Sequence, residues 1–278
     1  MMISRRNVLI ATSVLSLFSF PGIPLAKEKN SYLLGSTLID DIVRDLLGEG
    51  VDTRILIAGS ACPGHTDLKA ADLVFAIHAD GLIVHPRQKS QPILTQMVAT
   101  HPELAKKIYA VDIGGSWLIP ATQKEASEAV AKLLCVKQTK AFTKKVEERL
   151  RERLTRIDAL EKELQSVRNR LKGKAVVSAA MQGDFARWCG LEVVAIFGAA
   201  DAIDPKTLIQ IVKKARKDKT LGVIENLQSG KEAGRPIAEE LSIPRVVLSN
   251  FPQTDENTPD YFSLVRENVK ALLKTFGG

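Results

Sequence analysis

The chain has 278 residues, of which 45% are hydrophobic, 26% charged and 5% aromatic, and its formal net charge is +7. This composition excludes collagen-like, low-complexity and disordered chains, and three cysteines are too few for a disulfide-stapled scaffold. No uncharged apolar run reaches the ~20 residues that a membrane-spanning helix needs. We therefore expect a soluble globular protein with one large or two small domains.

Residues 1–26 have the features of an export signal. Arg5 and Arg6 precede an uncharged apolar run over 8–20, and the segment ends on the small residue Ala26. A basic start, a short apolar run and a small residue at the exit are typical of secretory signals. The letters SRRNVL resemble a twin-arginine signal, and a Sec signal is the alternative. The mature chain is expected to lie in a bacterial periplasm.

Positive charge is concentrated in residues 137–174, which hold 13 Lys plus Arg against 6 Asp plus Glu. Phe142 is the only aromatic residue of the segment, and the chain is expected to be exported, so a solvated helix face is favoured over a nucleic-acid site. Apolar residues recur there every three or four positions, which predicts one long helix over 142–171. At ~1.5 Å per residue such a helix spans ~45 Å, enough to lie across two domains.

Short apolar runs alternate with helical patterns on both sides of this helix. Strands are predicted at 32–36, 54–58, 73–77, 109–113, 175–178, 193–196, 221–224 and 245–248, and helices at 38–47, 183–189, 205–217, 230–241 and 259–276. Such alternation is typical of a mostly parallel sheet with helices on both faces. The predicted fold class is α/β, with two Rossmann-like βα lobes, 27–136 and 174–278, joined by a single long helix over 137–173.

The loop after the second predicted strand carries Cys62, His65 and Asp67. Ligands bind at the carboxyl ends of parallel strands and between domains, so this loop is a candidate site. A thiolate, an imidazole and a carboxylate this close in sequence suit a borderline or soft divalent metal. The alternative is a structural loop with a buried thiol and a histidine that caps a helix.

Four stretches resemble the zinc- and manganese-type solute-binding proteins of ABC importers, a family of periplasmic metal-binding proteins. They are LIDDIV at 38–43, ADLVF at 71–75, WLIP at 117–120 and FARWCGLEVV at 185–194. The resemblance implies two α/β lobes linked by one long helix, with no catalytic activity. It also implies a metal cargo in the cleft between the lobes and an ABC permease as partner.

The positions that hold the metal ligands in that family are mostly changed in this chain. His65 matches the first ligand, whereas Gly115, Ala179 and the pair Ser249-Asn250 stand at the other three positions. A tetrahedral site cannot be built from one remaining ligand. The site must therefore use other residues, or the cargo must be something other than a bare ion.

Two interpretations follow from these changes. In the first, Cys62 and Asp67 join His65 as ligands, with His85 or Glu225 as further candidates. In the second, the cargo is a metal chelate, a cofactor or an oxyanion, and the loops at 225–229 and 249–251 hydrogen-bond it. Zinc is the preferred cargo in the first interpretation, because thiolate favours softer metals; copper, nickel and manganese are the alternatives.

The sequence thus predicts a monomeric periplasmic solute-binding component of an ABC importer. It is not expected to be an enzyme, since nothing completes Cys62 and His65 as a nucleophile and base with an orienting acid or an oxyanion loop. No nucleic-acid partner is expected. A protein-interaction scaffold that uses the basic helix is the alternative from a different functional class.

Overall fold

The computed structural model describes residues 29–59, 68–198, 204–230 and 232–278. The predicted export signal lies outside the described residues and stays a prediction. Within the described part of the chain, the strands form two four-stranded sheets, and every strand pairs in parallel with its neighbours. None of the helices in these ranges is both long and apolar enough to cross a membrane.

The first sheet has the strand order β2-β1-β3-β4. Its strands are β1 (Asn30–Leu34), β2 (Val51–Ile55), β3 (Gly81–Val84) and β4 (Ile108–Ala110), and its helices are α1 (Thr37–Leu47), α2 (Ala70–His78), α3 (Pro92–Thr100) and α4 (Pro120–Leu134). All four residues of β3 are buried, as expected for a strand covered by helices on both faces. The Ser36 side chain accepts a hydrogen bond from the Ile39 amide and starts α1 directly after β1.

One predicted strand is wrong. Residues 73–77 lie in helix α2, and the buried strand of this region is β3, which the sequence analysis missed. A short apolar run cannot be assigned to strand or helix by periodicity alone. In α2, Ala76 is fully buried while Val74 is 59% exposed, so the run is not the two-sided buried segment that a central strand requires.

The predicted long helix is confirmed as a connection between the lobes. It consists of α5 (Lys140–Glu163) and α6 (Gln165–Leu171), and only Leu164 separates them. The Leu164 amide donates to Leu160 O and its own carbonyl accepts from Arg168 N, each at 3.0 Å, so helical hydrogen bonding passes through this residue. The helix is unbroken near Thr155. Its apolar stripe, including Ile157 and Leu160, is buried in the core that both lobes share.

The second sheet repeats the first, with the order β6-β5-β7-β8. Its strands are β5 (Ala175–Ala179), β6 (Glu192–Phe197), β7 (Gly222–Asn226) and β8 (Arg245–Leu248), and its helices are α7 (Gly183–Trp188), α8 (Pro205–Lys217), α9 (Arg235–Leu241) and α10 (Tyr261–Phe276). The four strands predicted here are present. The helix expected from residue 230 begins only at Arg235, after Gly230, whose φ is +93°.

A buried ion-pair network joins both lobes to the long helix. Arg153 on α5 is 1% exposed; it contacts Asp41 Oδ2 on α1 at 2.7 Å and also pairs with Asp45. Its Nε donates to Ser127 Oγ on α4 at 3.0 Å. From the second lobe, the Tyr261 amide at the start of α10 donates to Asp41 Oδ1 at 3.2 Å. This network, the Arg153 network, therefore fixes elements of both lobes around one guanidinium.

Candidate functional site

The carboxyl ends of the strands of the two sheets meet at the contact between the lobes. Thr37 Oγ1, just after β1, donates to Pro252 O, just after β8, at 2.9 Å. Gln228 Nε2, just after β7, donates to Gly59 O, four residues after β2, at 2.7 Å. We call the region bordered by these strand ends the crevice. Its position is the one at which α/β folds place their ligands.

Three of the predicted ligands, Cys62, His65 and Asp67, lie outside the described residues. Gly59, shortly before them in sequence, belongs to the lobe contact. A Cβ atom at Gly59 would come within 2.3 Å of Pro252 O, so only glycine allows the two loops to approach this closely. Gly59, the last described residue before Cys62, His65 and Asp67, therefore lies at the crevice.

His85 follows β3 directly and is half-buried in the first lobe. Its Nε2 lies 2.9 Å from Ser36 Oγ, and its ring centroid lies 4.3 Å from that of Trp117. Burial lowers the pKa of His85 to about 4, which keeps the imidazole neutral at neutral pH. A neutral imidazole is the form that binds a metal, and a hydroxyl partner on one ring nitrogen fixes its orientation.

Glu225 is the second to last residue of β7 and is fully buried. Its Oε1 lies 2.7 Å from Arg245 Nη1, and its Cγ lies against Gly234, just before α9. Burial raises the pKa of Glu225, and Arg245 opposes this shift. The side chain thus belongs to an ion pair within the second lobe, whereas His85 contacts residues of the first. Among the described residues, no three His, Cys, Asp or Glu side chains converge in a way that could hold a metal ion.

The crevice side of the second lobe carries three carboxamides, Gln182, Asn226 and Asn250, which we call the amide cluster. They follow or end β5, β7 and β8. Gln182 Nε2 donates to Asn226 Oδ1 and to Asn250 Oδ1, each at 3.0 Å, and Asn250 Nδ2 donates to Asn226 Oδ1 at 2.8 Å. Asn226 Nδ2 donates to Ser229 Oγ at 2.6 Å. The three side chains thus form a connected, uncharged and largely buried hydrogen-bond network.

Gln228 connects the amide cluster to the lobe contact. Its Oε1 accepts a hydrogen bond from the backbone amide of Asn250 at 3.0 Å. Its Nε2 donates to Ser249 Oγ at 2.8 Å and also to Gly59 O. Asn226 and Asn250 lie in the loops that the sequence predicts as possible contacts of a chelate, cofactor or oxyanion, whereas Gln182 lies outside both loops. The signal available for Gln182 was its position three residues after a buried strand.

The geometry can be compared with known proteins. The profile of the family "ZnuA: Zinc-uptake complex component A periplasmic" matches residues 35–275. The structure of a periplasmic metal binding protein from Candidatus Liberibacter asiaticus is similar with a TM-score of 0.73 and 15% identity, over 89% of this chain and 100% of that chain. A crystal structure of ZnuA is similar with a TM-score of 0.73 and 16% identity, over 89% and 99% of the two chains. At these identities the structural similarity shows the fold. No curated protein sequence matches the chain.

Proposed function

The chain belongs to the ZnuA family of periplasmic zinc-uptake components, and from this premise we propose that it is the solute-binding component of an ABC importer. Members of the family are metal carriers rather than enzymes. In this proposal the protein takes up a transition metal in the crevice and delivers it to the membrane permease. It acts in the periplasm, as a monomer, after export by a twin-arginine or Sec signal.

The observation that carries the proposal is the contact between Gln228 and Gly59. It sets Gly59, which precedes Cys62, His65 and Asp67 in the sequence, against a strand end of the other lobe. We propose that these three residues hold the metal. His85 is a further donor candidate, because it is neutral and also follows a strand of the first lobe. Glu225 could act as a metal ligand if its carboxylate gave up the ion pair with Arg245.

Zinc is the cargo that this donor set favours, because thiolate and imidazole are ligands of borderline metals. Copper and nickel suit the same donors. Two of the similar structures from Candidatus Liberibacter asiaticus are described as Mn-bound and Cd-bound. Manganese remains an alternative, although a thiolate favours it least.

The test of metal binding compares ligand variants with matched controls. The mature protein is purified from its own periplasm, and bound elements are measured by mass spectrometry. The Cys62→Ser and His65→Ala variants are expected to lose a stoichiometric metal. Cys135→Ser, at the end of α4, and His78→Ala, at the end of α2, are expected to retain it. Full retention of the metal in both ligand variants would contradict the proposed site.

Delivery to a permease is tested in cells. Deletion of the gene should lower the cellular content of one transition metal, and the wild-type gene should restore it. Unchanged contents of all transition metals in the deletion strain, grown under metal limitation, would exclude the transport role.

A further inference from the structure

The second lobe presents neutral groups where a metal carrier would need charged or imidazole donors. Gln182, Asn226 and Asn250 are all carboxamides, and Glu225, the buried carboxylate next to Asn226 in the chain, is paired with Arg245. Borderline divalent metals are held by thiolate, imidazole and carboxylate ligands. Asn226 Oδ1 already accepts two N–H groups, from Gln182 and from Asn250, so its lone pairs are occupied. The amide cluster is therefore a poor half-site for a bare cation.

The cluster nevertheless has hydrogen-bonding capacity left. Gln182 is fully buried, and its Oε1 has no hydrogen-bond partner among the described residues. A buried acceptor without a partner has lost its hydrogen bonds to water, so such a group in a native structure calls for a partner. Asn250 is half-buried and donates one of its two side-chain N–H groups to Asn226, which leaves a second N–H to donate. The cluster can thus offer both an acceptor and a donor.

The cluster lies at the edge of the crevice. The backbone amide of Asn250 donates a hydrogen bond to Gln228 Oε1, and Gln228 Nε2 donates to Gly59 O of the first lobe. A ligand held where the strand ends of the two lobes meet would therefore lie beside the amide cluster.

We propose that the amide cluster binds the organic part of the cargo, and that the metal is therefore carried as a complex with a small chelator. The chelator has both hydrogen-bond acceptors and donors, as in complexes with amino acids or with carboxamide-bearing ligands. This inference rests on the proposed function, since it names the chemical form in which the metal enters the crevice.

The first test is native mass spectrometry of the mature protein purified from its own periplasm. The expected bound mass exceeds that of any single metal ion, and elemental analysis of the same sample shows a metal. A bound mass equal to that of one metal ion would overturn the inference and leave the proposed function standing. A protein that carries no metal and binds none in titrations would contradict the proposed function and this inference together.

The second test uses Zn²⁺ alone as the probe in calorimetry. Asn250→Asp adds a carboxylate to the cluster and is expected to bind Zn²⁺ at least tenfold more tightly than the wild-type protein. Asn169→Asp adds the same charge at an exposed site on α6 and is expected to leave the affinity unchanged. Wild-type affinity for Zn²⁺ equal to that of Asn250→Asp would overturn the inference.

A further variant keeps the inference testable if Asn250→Asp does not fold. Gln182→Met removes the buried amide while keeping a similar volume, and it is expected to lose the bound complex during purification. Gln165→Met, at an exposed glutamine of α6, is the matched control and is expected to retain it. Thermal unfolding monitors the fold of each variant. A folded Gln182→Met that retains the same bound mass as the wild-type protein would also overturn the inference.

Discussion

Removal of the Arg153 guanidinium is expected to destabilise the whole protein. In Arg153→Ala, the buried Asp41 loses its 2.7 Å partner and keeps the Tyr261 backbone amide at 3.2 Å. Asp45 is less affected, because it is 29% exposed and also pairs with Arg156 at 3.1 Å. Breaking a buried ion pair by removing one partner costs about 3–5 kcal/mol, which is a large share of the roughly 5–15 kcal/mol by which a native protein is stable.

The loss of stability in Arg153→Ala should increase as the pH rises. Burial raises the pKa of Asp41, and Arg153 opposes this shift, so without Arg153 the pKa of Asp41 rises further. The carboxyl of Asp41 then binds its proton more tightly in the folded variant than in the unfolded chain. The stability of the variant falls as the pH rises above about 4, where the unfolded carboxyl ionises. The stability difference from the wild-type protein is therefore expected to be larger at pH 7 than at pH 4.

Urea unfolding, followed by circular dichroism at both pH values, measures this effect. Arg151→Ala, at an exposed position of the same helix, is the control and is expected to change the free energy of unfolding by less than about 0.5 kcal/mol. The double variant Arg153→Met with Asp41→Asn removes both charges and should recover part of the loss. The reasoning is refuted if Arg153→Ala costs no more than Arg151→Ala, or if its cost does not decrease on acidification.

Three further predictions concern the lobe contact and the cargo. Gly59→Ala introduces a Cβ at 2.3 Å from Pro252 O and should destabilise the protein by about 1–3 kcal/mol in urea unfolding, with weaker retention of metal. If the variant is as stable as the wild-type protein, the segments around Gly59 and Pro252 move apart without cost. Tyr261→Phe removes the buried hydrogen bond to Leu118 O and should cost about 1–3 kcal/mol by the same measurement, and an unchanged midpoint would contradict this. Metal affinity should fall as the pH is lowered, because the Cys62 thiol must deprotonate to bind, and a pH-independent affinity in calorimetry would argue against a thiolate ligand.

The sequence predicts the fold well where hydrophobic periodicity is long or where strands are bounded clearly. The stripe over 142–171 extends through many turns, so helix is the only regular structure that fits it. Residues 73–77 show the opposite case, since a short apolar run fits a strand or a helix equally, and only packing against the first sheet decides. The strand at 81–84 cannot be recognised in the sequence because its apolar run is only three residues long.

The site is predictable only in part. Thiol, imidazole and carboxylate side chains are the usual metal ligands, so Cys62, His65 and Asp67 can be recognised as candidates in the sequence. Gln182 has no such signature, because a carboxamide is common on any surface and acquires meaning only when Asn226 and Asn250 are brought to it by three separate strands. The Arg153 network cannot be predicted from the sequence either, since Asp41 lies 112 residues before Arg153 and 220 residues before Tyr261.

That separation has a consequence for how the protein is made. Asp41 meets Arg153 from 112 positions later in the chain and the Tyr261 amide from 220 positions later. The first lobe therefore emerges from the ribosome with a carboxylate whose partners have not yet been synthesised. Its helix α1 can acquire its final environment only after the start of α10 has been translated, so the docking of the lobes is a post-translational step. Until then, the apolar surfaces that the shared core will bury are open to chaperones and to premature association.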